Sequence, residues 1–307
     1  MEKVDFFIVG APKCGTTSIY EYLRDHPCIC FSDSKEPNYF SFDFPGYHTT
    51  FSLEEYHDKE FGHCNSGVAL LGEGSVWYLY SKVALREIYQ YNPAAKIIVM
   101  LRNPVDMTYS LHSQMLYNLD EDVEDFEVAW GLQGSRSNGQ SIPRWCRTSD
   151  FLLYKDVGMY SAQLERVYEF FPANQVKVIL FDDLVKSPER AYLDILSFLN
   201  IKNDHRTNFK TVNSNKEVVF KPLALFVQRP PKIIVSIVSV IKKRLRIHRF
   251  GIYKLMDKLN LLLNTRKSSR IVLSSRFKKL LLDEFLEDIN KTEKMIGRDL
   301  SAWKKLT

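Results

Sequence analysis

The sequence predicts an α/β fold, a mainly parallel sheet flanked by helices with a helical C-terminal extension. Short segments rich in β-branched and aromatic residues alternate with stretches of helical periodicity. Those segments are apolar along their length, as strands covered on both faces are. The first of them runs into a glycine-bearing loop and then a helix, in FFIVGAPKCGTTSIY. With 45% hydrophobic and 26% charged residues among 307, the composition is that of a globular protein. It excludes disorder, collagen and a simple coiled coil.

In chain order, strands are expected at Val4 to Gly10, Val68 to Gly72, Lys96 to Arg102 and Val176 to Asp182. Helical patterns fall at about 16–26, 80–92, 104–117, 158–171 and 186–200. Ligands of such sheets bind beyond the carboxyl ends of the strands, so the loops after Gly10, Gly72 and Arg102 are the first places for a site. Residues 131–150, rich in Gly, Ser and Asn, read as one long loop, and loops of that kind are usually functional or mobile. From Lys221 onward only helical segments are expected, at Pro231 to Arg246, Ile252 to Leu263 and Ser274 to Ile296. The reading is one domain over 1–307, a core over 1–220 and a basic helical extension over 221–307.

Charge divides the chain. Residues 1–200 hold 17 Lys and Arg against 28 Asp and Glu, and residues 201–307 hold 25 against 9. A basic final third suggests an anionic contact, whether a phosphate-bearing ligand, a membrane surface or the acidic body itself. No nucleic-acid module accompanies the charge, so nucleic acid is not expected as a partner. The stretch Ile233 to Ile241 is too short to span a bilayer. With the basic run Lys242 to Arg246 behind it, it reads as a surface helix packed on the core, membrane-surface association being the alternative. Five cysteines are an odd number, and Met1 to Asp5 lead directly into a strand rather than through a secretory leader. Free thiols and a cytoplasmic location are therefore expected. Cys28-Ile29-Cys30 lacks the spacing of a zinc or redox motif, and no metal site is read.

Strand, loop and helix together present backbone N–H groups to an anion, which makes the first loop P-loop-like. Against the nucleotide template G-x-x-x-x-G-K-[ST], Gly10, Gly15 and Thr17 fit, but Thr16 stands where the lysine belongs and the lysine lies inside the loop at Lys13. That departure argues against an ATPase or kinase. A lysine within the loop can neutralise charge on a phosphate leaving group; a solvated lysine in a tight turn is the plainer alternative.

Pro12-Lys13-Cys14-Gly15-Thr16-Thr17 resembles the 5′-phosphosulfate loop, P-K-x-G-T-T, of sulfotransferases that use 3′-phosphoadenosine 5′-phosphosulfate (PAPS). Arg102-Asn103-Pro104 with Ser110 resembles the same family's 3′-phosphate motif, a strand end followed by a serine. In isolation Arg102 would read as a strand-end arginine paired with Asp106; beside the first loop it reads as a bidentate phosphate ligand. Pro104 suits a first helical turn and Asn103 its cap. The resemblance extends through Gly158-Met159-Tyr160, Phe181-Asp182-Asp183-Leu184 and Leu300-Ser301-Ala302-Trp303, nearest to bacterial and glycan-type members.

The resemblance implies a PAPS-dependent sulfotransferase that needs no metal. Pro12, Lys13, Cys14, Gly15, Thr16, Thr17 and Ser18 would hold the 5′-phosphosulfate, Arg102 and Ser110 the 3′-phosphate, and Asn213 to Lys216 would stand where many members carry a basic loop over the nucleotide. Lys35-Glu36-Pro37-Asn38-Tyr39-Phe40 resembles the segment whose glutamate activates the acceptor, which makes Glu36 the candidate base; its alternative is an exposed carboxylate paired with Lys35. Gly72-Glu73-Gly74-Ser75 sits where relatives carry G-E-K-[ST]-P, with Gly74 in place of the second lysine. Glu73 is a base, an orienting partner or a strand-end carboxylate, and His48 and His112 are reserve bases. Tyr39, Phe40, Phe42, Trp77, Tyr78 and Trp145 are candidates for an acceptor pocket, core packing being the alternative for each. The acidic run Asp120 to Glu127 reads as a solvated helix start that, at an acceptor site, would disfavour polyanions. A small-molecule or saccharide acceptor follows, and the oligomeric state is unreadable. A P-loop nucleotide phosphotransferase and a non-catalytic nucleotide-binding module are the other classes.

Overall fold

A computed structural model describes residues 2–48, 52–65, 67–209, 216–218, 224, 227, 265–267 and 272–306. Its main sheet has the order β2-β3-β1-β4-β5, formed by Ile29–Phe31, Leu70–Gly74, Phe6–Gly10, Lys96–Leu101 and Val176–Leu180, and every pairing is parallel. All four expected strands are present. The fifth, β2, spans three residues, too few to show a period. β5 stops at Leu180 rather than Asp182, because Phe181–Lys186 coils into a short helix, α9, whose first turn carries Asp182 and Asp183 where the dipole favours acids.

The expected helices are α1 (Thr16–Arg24), α3 (Ala84–Tyr91), α4 (Pro104–Tyr117), α8 (Tyr160–Phe170) and α10 (Pro188–Leu199). Sequence periodicity missed α2 (Leu53–Phe61), although Ser52 and Glu55 form a capping box that signals its start. The loop expected at 131–150 holds a short helix, α6 (Gln133–Ser137), preceded by α5 (Phe126–Gly131), and is pinned from inside. Arg136 makes a buried two-pronged pair with Glu121 at 2.7 and 2.8 Å, and Tyr154, on α7 (Tyr154–Gly158), donates to the same carboxylate at 2.7 Å. Arg147 likewise holds Asp120. Thus the front of the acidic run is interior structure rather than a solvated helix start: burial would raise the Glu121 carboxyl, but Arg136 and Tyr154 hold it below its ordinary value.

At the C-terminal end, α11 (Ser275–Ile296) is the expected last helix. Its buried Asp288 accepts from Tyr160 N, Ser161 N and Ser161 Oγ, which ties it to the start of α8. One correction falls here: Thr265–Lys267 is a strand, β7, antiparallel to β6 (Lys216–Val218), in a stretch expected to be helical throughout. Three polar residues paired with a distant segment leave no local pattern. The expected helices at 231–246 and 252–263 lie outside the described residues, as does the basic run at 242–246. Among the described residues no helix is long and apolar enough to cross a membrane.

A second correction concerns the thiols. Cys30 of β2 is disulfide-bonded to Cys64, just beyond α2, whereas Cys14, Cys28 and Cys146 are free. The bond spans 34 residues and depends on α2 folding back along β2, which residue spacing does not reveal. His63 stands beside the pair, with Nε2 3.5 Å from Cys30 Sγ.

From β1 the chain moves toward β3 and β2, and from β4 it moves toward β5, so the crevice between the ends of β1 and β4 is the sheet's switch point. Ala11 N donates to Met100 O at 2.7 Å there, setting the loop after β1 beside the end of β4.

Candidate active site

The two loops meet in a cleft of about 710 Å³. Its walls include Pro12, Lys13, Gly15, Thr16, Thr17 and Ser18 from the first loop, Arg102 and Ser110 from β4 and α4, and Lys35, Glu36 and Trp77 from the β2–β3 side. Gly15 is the N-cap of α1 at φ 85°, with no side-chain cap, so the amides of the helix's first turn are presented to an anion. Glycine is favoured at position 15, because φ 85° strains any other residue and a Cβ there would lie 2.8 Å from Leu184 Cδ2 and 3.0 Å from Phe181 Cδ2. Lys13, also at positive φ, donates from Nζ to Gln114 Oε1 at 3.0 Å. Gln114 lies one turn beyond Ser110 on α4, and neither motif marks it.

Arg102 leaves the end of β4 and lies over the Phe181 ring, 4.7 Å from its centroid, with Asp106 at 3.7 Å. Asn103 caps α4 by accepting from Val105 N, and Pro104 occupies the first turn. Trp303 ties these strand ends together: its ring N–H donates to Asp182 and its carbonyl accepts from Asn103. The C-terminal Leu-Ser-Ala-Trp segment therefore supports the Arg102 end of the cleft.

On the opposite wall Glu36 is about one-third exposed and paired with Lys35 at 2.7 Å. Trp77 stacks flat on Phe151, with centroids 3.4 Å apart. Tyr47, which sequence reading missed, also lines the cleft, held by Asp120 and by the Arg147 guanidinium over its ring.

Several expected site residues stand elsewhere. Cys14 is fully buried behind the loop, with its thiol pushed up to about 12 by burial, so it supplies backbone and packing rather than a reactive sulfur. Tyr39 and Phe40 are buried in an aromatic cluster with Tyr56, the Tyr39 and Tyr56 rings stacked at 4.5 Å. His112 is buried, does not line the cleft and donates from Nε2 to Val123 O, which removes it as a reserve base; burial also lowers its pKa. The other reserve base, His48, packs against the Tyr39 and Phe42 rings and does not line the cleft. Glu73 is fully buried beneath the wall, accepting from Tyr56 and Ser75, with its carboxyl pushed up to about 7 by burial. Tyr78 is also fully buried, its hydroxyl accepting from Phe40 N; Phe42 and Trp145 are exposed but do not line the cleft. Asn213 lies outside the described residues, and Lys216 is described as part of β6.

A parallel sheet with a strand–loop–helix at its switch point, and a second cation at the neighbouring strand end, defines a class of protein suited to hold a phosphate-bearing ligand. Comparison with known proteins narrows the class: the family described as Sulfotransferase domain matches residues 3–221, and the chain belongs to that family. It is 28% identical over 203 residues to the human bifunctional heparan sulfate N-deacetylase/N-sulfotransferase 2, covering 64% of this chain and 22% of that protein. To the mouse carbohydrate sulfotransferase 15 it is 30% identical over 246 residues, covering 64% of this chain and 43% of that protein. The chain thus spans well under half the length of these curated relatives. A solved sulfotransferase from Alicyclobacillus acidocaldarius superposes with a TM-score of 0.72 at 26% identity, covering 99% of this chain and 100% of that one.

Proposed function

We propose that this chain moves the sulfuryl group of PAPS to a hydroxyl, in preference to an amine, of a saccharide or small-molecule acceptor. The observation that carries the reading is the meeting of Lys13, Arg102 and Glu36 on the walls of one cleft. The donor set suits the nucleotide: Arg102 and Ser110 would hold the 3′-phosphate, and the α1 amides with Thr16 and Thr17 the 5′-phosphosulfate. When bound, PAPS supplies an electrophilic sulfur on a phosphate leaving group. Glu36 takes the proton of the acceptor hydroxyl as its oxygen forms the new bond to sulfur. Lys13 neutralises the charge left on the phosphate as the bridging S–O bond breaks. Charge neutralisation by lysine makes the reaction independent of a metal.

A saccharide among these acceptors is supported by the similarity to a heparan sulfate N-deacetylase/N-sulfotransferase and a carbohydrate sulfotransferase. Cytoplasmic residence is the part of the reading that the Cys30–Cys64 bond weighs against, because disulfides persist in oxidising compartments; thiol counting on protein from freshly lysed source cells decides it. The test of the whole is calorimetric titration with adenosine 3′,5′-bisphosphate in EDTA, beside ADP. Tight metal-free binding that ADP does not match is expected. Binding of ADP as tight, or binding only with Mg²⁺, returns the chain to the phosphotransferase class, and binding without turnover makes it a nucleotide-binding module.

A further inference from the structure

Glu73 has no path to an acceptor, yet its surroundings are built with care. Tyr56 of α2 donates to its Oε2 at 2.5 Å and Ser75 Oγ donates to its Oε1 at 2.6 Å. Ser75 Oγ in turn accepts from Asn38 N at 3.0 Å, and Asn38 Nδ2 donates to the backbone oxygen of Glu36 at 3.0 Å. Asn38 stands at φ 54°, a conformation that side-chain hydrogen bonding makes tolerable for asparagine. Its carbonyl accepts from Ser41 Oγ. Lys35 O lies 3.6 Å from where a Gly74 Cβ would stand, so the turn rests on the end of β3. The serine has a single proton. Given to the carboxylate, it leaves oxygen lone pairs facing Asn38 N–H, and the direction of the whole chain follows from Glu73.

We infer that Glu73 is a positioning residue for the acceptor side: through Ser75 and Asn38 it holds the backbone of the turn that carries Glu36 at the cleft. This rests on the sulfuryl-transfer reading and gives that site a support absent from either phosphate motif. A second strut arrives from α2, where buried Glu60 accepts from Ser34 N and Ser34 Oγ one residue before Lys35.

The experiment compares wild type, Glu73→Ala, Glu73→Gln and Ser75→Ala by three readouts. These are affinity for adenosine 3′,5′-bisphosphate, sulfuryl transfer from PAPS to chemically desulfated heparan chains and to p-nitrophenol, and amide exchange of a peptide covering 33–40. Glu73→Ala should lower kcat tenfold to a hundredfold with nucleotide affinity within twofold, and raise exchange at 36–38 at least tenfold over wild type. Glu73→Gln, which keeps an oxygen for Ser75, should recover most of the rate. Unchanged kcat and unchanged exchange overturn the inference, as does a parallel loss of nucleotide affinity, which marks a general loss of structure. Should Glu73→Ala not fold, Ser75→Ala alone decides, since it cuts the link to Asn38 and leaves the Tyr56–Glu73 bond. If wild type binds no adenosine 3′,5′-bisphosphate, the sulfotransferase reading has failed instead; if it binds but no acceptor turns over, faster exchange at 36–38 in the variants supports the inference and unchanged exchange overturns it.

Discussion

The donor side of the cleft is assembled from two strand ends that are neighbours in the sheet, β1 with its loop and β4 with Arg102, each carrying a local motif that Gln114 and Trp303 steady from elsewhere in the chain. The acceptor side is assembled from a turn after β2, the end of β3 and α2, joined by side-chain bonds between Glu36, Asn38, Ser75, Glu73 and Tyr56. One side presents main-chain amides fixed by a regular element beside its side-chain cations. The other is only as well placed as a hydrogen-bond relay in a dry interior, where every member must be satisfied. On the proposed reading, nucleotide binding and acceptor activation thereby fall on different walls of one cleft.

Glu36 sharpens this contrast most. Glu36→Gln keeps the turn and removes the proton acceptor, so kcat should fall by a factor on the order of 10² to 10⁴ with nucleotide affinity unchanged. If Lys35 or a histidine were the base, the loss would be small. Lys13→Ala should cost roughly 10² to 10³ in kcat, the scale for removing one preorganised charge at a leaving group; a fall in nucleotide affinity alone would break the assignment. Arg102→Ala belongs wholly to the donor side. Loss of a charged phosphate contact should weaken adenosine 3′,5′-bisphosphate by about 1.5–3 kcal/mol and leave ADP nearly unaffected in the same calorimeter.

The last effect is on stability. Burial raises the Glu73 carboxyl from 4.5 to about 7, so its contribution to folding is complete below about 4.5 and is lost as pH rises through about 7. Wild type should lose on the order of 3 kcal/mol from this group between those limits. Glu73→Gln, which does not titrate, should show a flatter dependence of Tm between pH 5 and 8; equal slopes would show that the carboxyl titrates in its ordinary range.

Local chemistry determined much of this protein. Four of the five main strands, the cradle from Gly10 to Thr17 and the Asn103-Pro104 start of α4 were legible because each is decided by neighbouring residues: apolar runs, a glycine required at φ 85°, a capping amide. The strand Ile29–Phe31 and the ribbon of β6 and β7 were not, since three residues carry no period and their pairing is with distant chain. The same division runs through the site. Lys13, Arg102 and Ser110 lie in motifs that the backbone itself enforces. Whether Glu36, Glu73 or His112 faces the cleft is a matter of which side of a packed layer each occupies: apolar packing buried Tyr39 and Phe40 and enclosed Glu73 and His112, whose desolvation is offset by hydrogen-bond partners, and left Glu36 at the wall. A carboxylate's type can be read from a chain, but its exposure and its partners exist only once the layers have closed around it.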